Sequence, residues 1–463
     1  MKHNSIFTRL IALALVIAFA TLTMAGCAFF QPKINGISIG KYTIVYDSDQ
    51  LDYNKRAAEY IQASIEDLTG AKLDVKEDGE GQFEHEIVVG ETNREISAKL
   101  NAECVDLEFA ILADENHIAL EGAYFIIAAA AYYFVHTYVA NSAEIEVGKV
   151  NVEQPIQEKA NNYILLIGDG MGEAHTRLYE AYDAPADGKE AYSDGEDFFY
   201  GYLLPYFGYA KTDSLDGTTD SAAAATALAS GYKTHNGYVG LKGDGSNVRL
   251  LTELASSLGK AAAVMSTEKR TGATPSGFSS HAPDRYDSDA VYEAQLAHVN
   301  AYGTIVDCGY DYYTVNQIKI VENHISDTLA AVSADENGFF LMYEEAYIDK
   351  HSSDNDAYTT FLALMRFNQA IGLFMEYAFY NPDTMVIITA DHETGGLTVA
   401  DGSCSYVTEE HTSANVPIFA YGADAQLFDG QTIENTQIAK TLAALMGELD
   451  FGDPDTAPAI IKP

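Results

Sequence analysis

The sequence predicts an α/β fold for its larger C-terminal part, preceded by a small α+β domain. Three observations point to the α/β part. Tyr163–Gly172 is a short apolar run that stops at Asp169 between two glycines. Thr384–Gly396 repeats the design, with Asp391 and His392 at the end of the run. Runs of this length and composition are strands buried on both faces. Between them, Ser221 opens a helix of small residues that Gly231 closes as a C-cap glycine.

In chain order, the first element is a targeting signal. Lys2, His3 and Arg9 precede the apolar stretch Leu10–Ala20, and Met24-Ala-Gly-Cys27 follows. Small residues before a cysteine resemble a bacterial lipobox. Residues 1–26 are then a lipoprotein signal peptide, Cys27 is the lipidated residue, and 27–33 form a tether. Lipidation would anchor the chain to the outer face of a bacterial cell membrane. Ordinary secretion is the alternative.

Residues 34–153 form the α+β accessory domain. Tyr42–Tyr46 reads as a strand. Tyr53–Leu68 reads as an amphipathic helix with Tyr53, Ala57, Tyr60, Ile61, Ile65 and Leu68 inward, stopped by Gly70. Strands follow at Lys72–Val75, Glu86–Val89, Phe109–Leu112 and His117–Leu120. Tyr124–Val139 is an apolar helical run, too short for a membrane span and carrying His136, hence a buried core helix. The order β-α-β-β-β-β-α is that of a layered α+β fold. Glu86–Arg94 and the helix after Gly122 resemble the small N-terminal domains of some carbohydrate-active enzymes, which implies a spacer or docking role. Residues 154–162 read as a linker, and 163–463 as the catalytic domain.

The chemistry sits in the catalytic domain. A serine at a helix N-terminus lies among unpaired N–H groups at the positive end of the helix dipole, a setting that favours an alkoxide and phosphate. Read alone, Ser221 is also an ordinary N-cap. Ligands of open α/β sheets bind beyond the carboxyl ends of strands. Asp169, Asp391 and His392 at such ends imply acidic groups converging on one spot. Close carboxylates repel, so they need cations or protons.

Residues 158–447 resemble the alkaline phosphatase family. The matching segments are Ile167–Gly172, Thr219–Ala227, Ala273-Thr-Pro275, His281–Arg285, Glu344 with Ile348-Asp-Lys350, Thr389–His392 and His411-Thr412, in the family's order. The resemblance implies a three-layer αβα sandwich with a central, mostly parallel sheet. It implies that Ser221 is the nucleophile that becomes phosphoserine. Asp169, Asp391 and His392 would bind the zinc that activates it. Asp349 and His411 would bind a second zinc, whose hydroxide releases inorganic phosphate. Asp169, Thr274 and Glu344 would hold a third ion, magnesium. Arg285 would clamp the phosphate oxygens, with Lys350 a possible phosphate contact through water.

These residue types suit that chemistry. Zinc accepts imidazole and carboxylate, and magnesium prefers oxygen ligands. Serine needs a metal or base to become nucleophilic. Arginine's planar fork matches two phosphate oxygens.

Two positions depart from the family. Its second zinc ligand histidine, four residues after Asp349, is here Ser353. His351 and Asp354 are the alternative donors, while Ser352 or Ser353 also reads as the cap of a helix over Asp356–Phe379. A weakened second metal site is expected. Gly272 stands where the family often carries Asp or His, two residues before Thr274, so a supporting group of the third site is missing. His175, His235 and His281 read as structural polar residues, Glu393 as a local hydrogen-bonding group, and Lys233 and Lys269 as sources of positive potential.

The formal charge of −41 over 463 residues argues against nucleic acid and against electrostatic binding to anionic lipid. Besides Cys27, the cysteines are Cys104, Cys308 and Cys404, widely spaced and without a C-x-x-C pair, and read as small buried hydrophobes. Only 58 residues separate Arg285 from Glu344 and 18 separate His392 from His411, where larger members of the resembled family insert lids and dimer contacts, so the resemblance implies an open site. Monomer and dimer both fit that spacing.

The expected function is metal-dependent hydrolysis of a small phosphate monoester. The alternatives are a catalytically impaired homologue that binds phosphate or phosphoglycans at the surface, and a related phosphodiesterase. A sulfatase is disfavoured, because Ser221 is followed by four alanines rather than the x-Pro-x-Arg of sulfatases.

Overall fold

A computed structural model describes residues 32–34, 36–48, 52–100, 108–141, 148–153, 159–182, 198–309 and 318–461. The signal peptide, Cys27, Cys104 and residues 154–158 lie outside the described residues. The chain divides into two compact units, Met1–Gln154 and Pro155–Pro463.

The first unit is built on a six-stranded sheet. Its elements are β1 (Thr43–Tyr46), α1 (Tyr53–Thr69), β2 (Val75–Glu77), β3 (Glu86–Val89), α2 (Glu95–Leu100), β4 (Glu108–Ala113), β5 (His117–Glu121), α3 (Ile127–Tyr133) and β6 (Gly148–Glu153). The strand order is β2-β1-β3-β5-β4-β6, parallel from β2 to β5, with β4 antiparallel to both neighbours.

α1 ends where Gly70 adopts φ +72° and returns its N–H to Glu66 O. Leu68, expected inward, is 45% exposed. Thr69 takes the inward place and satisfies its hydroxyl on Ile65 O at 2.7 Å. The strand expected at Lys72–Val75 begins only at Val75, because Leu73 O is taken by the Gln62 side chain. The run Tyr124–Val139 is helical throughout, passing from a 3₁₀ turn through α3 into a π-helical turn over Phe134–Val139. Phe125 to Ala131 are buried, as a core helix requires. α2 and β6 are additions to the expected order.

The second unit carries an eight-stranded sheet, ordered β10-β9-β11-β7-β12-β13-β8-β14. The strands are β7 (Asn162–Gly168), β8 (Tyr206–Lys211), β9 (Ala261–Ser266), β10 (Ile305–Cys308), β11 (Phe339–Glu345), β12 (Thr384–Thr389), β13 (Val416–Tyr421) and β14 (Thr432–Glu434). Only β13 runs against the rest. Every residue of β7, β11, β12 and β13 is buried. Strands buried on both sides need helices on both sides, and the fold is a three-layer αβα sandwich.

The longer helices of the unit are α4 (Ser221–Ser230), α5 (Leu251–Ser257), α6 (Ala273–Gly277), α7 (Ser288–Tyr302), α8 (Ile318–Ser333), α9 (Tyr347–Ser353), α10 (Ala357–Tyr380) and α11 (Asn435–Leu445), beside a single helical turn at Glu173–Thr176 and two small two-stranded sheets. α10 lies against β7, β11 and β12. All ten residues of α4 are buried. Its alanines let α6 come close: a Cβ on Gly277 would stand 2.6 Å from Ala225 Cβ. The cap of α10 is Asp356, which accepts from Thr359 N at 3.2 Å, and not Ser352 or Ser353. Ser352 is instead buried inside α9, 3.0 Å from His175 Nε2. Cys308 and Cys404 are free thiols, half-buried rather than buried.

Candidate active site

The site forms beyond the carboxyl ends of β7, β11 and β12, where an open α/β sheet presents its loops. Asp169 follows β7 and ties its N–H to Glu345 O at 3.0 Å. Gly170 turns the chain at φ +75°, and a Cβ there would meet Asp349 Cα at 2.8 Å. Only glycine lets this turn touch α9. Its N–H donates to Asp391 Oδ1 at 3.1 Å, so the ends of β7 and β12 are joined.

Ser221 is the first residue of α4, not its cap. Asp220 is the cap: Oδ1 accepts from Ala223 N at 2.9 Å. The serine hydroxyl is thereby free of capping. It lies 3.2 Å from His392 Nε2. The same nitrogen is 3.5 Å from Asp169 Oδ1 and 3.3 Å from Asp391 Oδ2. Ligand atoms of Asp169, Asp391 and His392 all lie within 4.8 Å of one another. The edge of a tetrahedron with zinc's bond lengths of about 2.0–2.1 Å is about 3.3–3.4 Å, so these spacings fit that ion. Asp169 Oδ1 and Asp391 Oδ2 are buried and make no hydrogen bond.

A second group joins Asp349, His392 and His411. The two imidazoles stack with centroids 3.5 Å apart. His411 Nε2 is 3.4 Å from Asp349 Oδ1, and its Nδ1 is held by Thr219 O at 2.9 Å. Thr394 hydrogen-bonds both Asp349 and His392. Sequence reasoning passed over Thr394, although its place two residues after His392 puts it on the same side of an extended segment.

His351 and Asp354 belong to neither group. The ring of His351 lies 5.8 Å from that of Tyr347, in the field of Arg366 and Glu345. Ser353 closes α9, half-buried, and Asp354 is exposed beyond it.

The third set is Asp169, Thr274 and Glu344. Successive side chains of a strand point to opposite faces. Glu345 accordingly pairs with Arg366 of α10 at 2.7 Å, while Glu344 faces Ser266 and Thr274. Thr274 Oγ1 and Glu344 Oε1 are buried and form no hydrogen bond of good geometry. Oxygens left this way suit a hard cation. Lys350 is not free in solvent: its Nζ pairs with Glu268 Oε2 at 3.0 Å.

Electrostatics describe the same crowding. Burial, then the charges of Asp391, Asp349 and Glu344, hold Asp169 well above the usual carboxylate range. Burial and then Glu268 push Glu344 up to about 8. Burial would raise Asp349 too, but His411 beside it draws its carboxyl well down. Burial lowers His411, yet Asp349 lifts it to about 9. A cluster that holds protons this strongly is one that cations can fill instead.

An open cleft of about 490 Å³ leads to Ser221, lined by Thr218, Asn236, Arg285, Tyr286, Asp349 and His411 among others. Arg285 reaches Asp220 Oδ2 with Nη1 at 3.1 Å. The remaining candidates are tied up elsewhere. His175 accepts from Gly172 N, and His235 pairs with Asp216. His281 bridges Gly240 O and Glu253, and Lys233 pairs with Glu434. Glu393 accepts from Gly396 N and Leu397 N, and Lys269 is exposed.

The alkaline phosphatase family model matches residues 160–321 and 319–408. The chain belongs to the alkaline phosphatase family. Alkaline phosphatase 3 of Bacillus subtilis is 27% identical over 62% of this chain and 74% of its own length. Alkaline phosphatase 4 of the same organism is 28% identical over 58% and 68%. The solved alkaline phosphatase of the Antarctic bacterium TAB5 superposes with a TM-score of 0.54 at 24% identity, covering 62% of this chain and 98% of that one. Its His 135 Asp variant, with Mg bound in the M3 site, superposes equally well. These structures support the fold of the second unit. Family membership supports phosphoester hydrolysis in general, and a metal-dependent one.

Proposed function

We propose that the chain is a phosphomonoesterase working through a phosphoserine on Ser221. The observation that carries this reading is the placing of Ser221 Oγ, 3.2 Å from His392 Nε2 and opening onto the cleft that holds Arg285. Two zinc ions and one magnesium ion are the proposed metals. Zinc would be held by Asp169, Asp391 and His392 and by Asp349 and His411, and magnesium by Asp169, Thr274 and Glu344. When bound, such ions supply Lewis-acid charge that acidifies a hydroxyl or water and stabilises a leaving oxygen.

The chain's own residues do the rest. Arg285 forks onto two non-bridging oxygens and orients the phosphorus toward Ser221. Ser221 Oγ gives up its proton to solvent in the open cleft and attacks phosphorus in line. The bond to the ester oxygen breaks, and the alcohol leaves after taking a proton from solvent. Unpaired N–H groups at the start of α4 stabilise the incoming charge. Water then attacks the phosphoserine from the vacated side, freeing inorganic phosphate and restoring the hydroxyl. Asp349 and His411, which line the same cleft as Ser221, would hold the ion that activates that water. Arg285 favours a dianionic monoester over a diester.

Ser353 supports a second reading, in which phosphate is taken up but released slowly or not at all. Acid-quenched mass spectrometry of the peptide containing Ser221, after mixing with p-nitrophenyl phosphate, tests both. Transient phosphoserine supports the enzyme, persistent phosphoserine the second reading, and none at all neither.

Residues 1–26 are proposed as a cleaved signal, with Cys27 lipidated and the chain held outside the cell membrane. No helix among the described residues is long and apolar enough to cross a membrane. Loss of the chain from the membrane fraction in Cys27→Ser is the expected result.

A further inference from the structure

Nothing in the backbone conformation of Gly272 calls for glycine. Its backbone is extended, with φ −62° and ψ 161°, which any residue adopts. The space its side chain would fill is taken. A Cβ built there would stand 1.8 Å from Glu268 Oε1 and 2.1 Å from Glu268 Cδ. The Glu268 carboxyl therefore occupies the volume of the absent side chain.

That volume adjoins the third candidate cation site. Glu268 follows β9, whose last residue Ser266 pairs in register with Glu344 of β11. Ser266 donates its hydroxyl to Glu344 and receives Glu268 N–H at 3.0 Å. Glu268 Oε2 pairs with Lys350 Nζ at 3.0 Å, and Lys350 in turn acts on Asp169 and Glu344. Glu344 feels the charge of Glu268 and faces Thr274, and Thr274 Oγ1 and Glu344 Oε1 are both wholly buried. Glu268, Glu344 and Asp169 do not close to within one ion's first sphere.

We propose that Glu268 replaces the side chain missing at Gly272 and, paired with Lys350, fixes a hydrated divalent cation, magnesium by preference, at Asp169, Thr274 and Glu344. Glu268 is a positioning residue: it accepts hydrogen bonds from waters that magnesium keeps when bound to few protein oxygens. The inference rests on the metal-dependent reading above and names a residue it does not contain.

Titration of magnesium chloride alone into zinc-loaded full-length protein, followed by calorimetry, tests it. Glu268→Ala and Glu268→Gln are expected to weaken magnesium binding about 10- to 100-fold, with zinc content unchanged. The Gln variant keeps the packing and isolates the charge. Glu268→Ala with Gly272→Asp is expected to regain most of the affinity, because a carboxylate returns to the vacated volume. Gly272→Asp alone is expected to gain nothing, because the two carboxylates collide. Unchanged magnesium affinity in both Glu268 variants would overturn the inference and leave the phosphatase reading standing. Wild-type protein that takes up neither zinc nor magnesium would overturn both.

Discussion

Arg285 Nη1 stands 3.1 Å from Asp220 Oδ2, while Oδ1 of the same carboxylate caps the helix that begins at Ser221. One side chain thus fixes both the group that would hold phosphate and the helix end that carries the attacking hydroxyl. Gly237 N also donates to Asp220 at 3.0 Å, so the carboxylate itself is held rigidly.

Arg285→Ala is expected to lower kcat/KM for a phosphate monoester by about 10- to 100-fold, the loss of one to two charge-assisted hydrogen bonds. Lysine at 285 restores little, since it lacks the planar fork. Asp220→Ala is expected to cost about 1 kcal/mol in urea unfolding, the worth of a lost N-cap. Steady-state kinetics and an unfolding curve check the two outcomes.

Ser353 leaves Asp349 and His411 without the family's third donor, and His351 is turned to Tyr347. Ser353→His is expected to raise bound zinc, read by elemental analysis after dialysis, and to speed breakdown of the phosphoserine. No gain in zinc would end the idea of a weakened site.

Glu253 gives a pH dependence of stability. Burial raises its pKa, but His281, with His298 3.6 Å away, and the hydrogen bond from Leu250 N prevail and bring it down to about 2. Its folded value lies below its unfolded value near 4.5, so the stabilisation is complete above that value and vanishes as pH falls toward 2. His281 is raised above its ordinary value by Glu253 and Gly240 O, against burial. Its share is complete at low pH and is lost as pH climbs through its folded value. The pair together stabilises most between about pH 4.5 and 6.5. Glu253→Gln should remove on the order of 2 kcal/mol there, and much less at pH 2, by thermal melts across pH.

In the first unit, Arg94 Nε meets Glu86 Oε2 at 2.9 Å, with the two side chains 5% and 2% exposed. Arg94→Ala strands a buried carboxylate. It is expected to destabilise that unit by about 3–5 kcal/mol, while Arg94→Met with Glu86→Leu recovers much of the loss. Hydrogen exchange in β1, β3 and β5 is the readout.

Three residues of the candidate site were legible because they end apolar runs, while Asp349, His411, Thr274, Glu344 and Arg285 were reached only through the family resemblance. Asp169, Asp391 and His392 each follow a strand that reads clearly. What the sequence hid depends on the chain folding back. Glu268 lies four residues before Gly272, and nothing in the sequence says its carboxyl enters the glycine's space. Asp220, next to Ser221, was overshadowed by the serine, although aspartate caps as well. In the first unit α2 has only 6 residues, fewer than two turns and too short for a helical period to stand out. Leu68 is exposed although the helical pattern turned it inward, because Thr69 satisfies its own hydroxyl within the helix and can be buried instead.

Everything proposed for the site depends on a metal-dependent attack by Ser221. Hydrolysis of p-nitrophenyl phosphate by the chain from Ala28 is measured with and without zinc and magnesium, beside Ser221→Ala. Turnover that needs the metals and disappears in the alanine variant is the expected result. Turnover unchanged in Ser221→Ala, or neither turnover nor phosphoserine in folded, metal-loaded wild type, would contradict it.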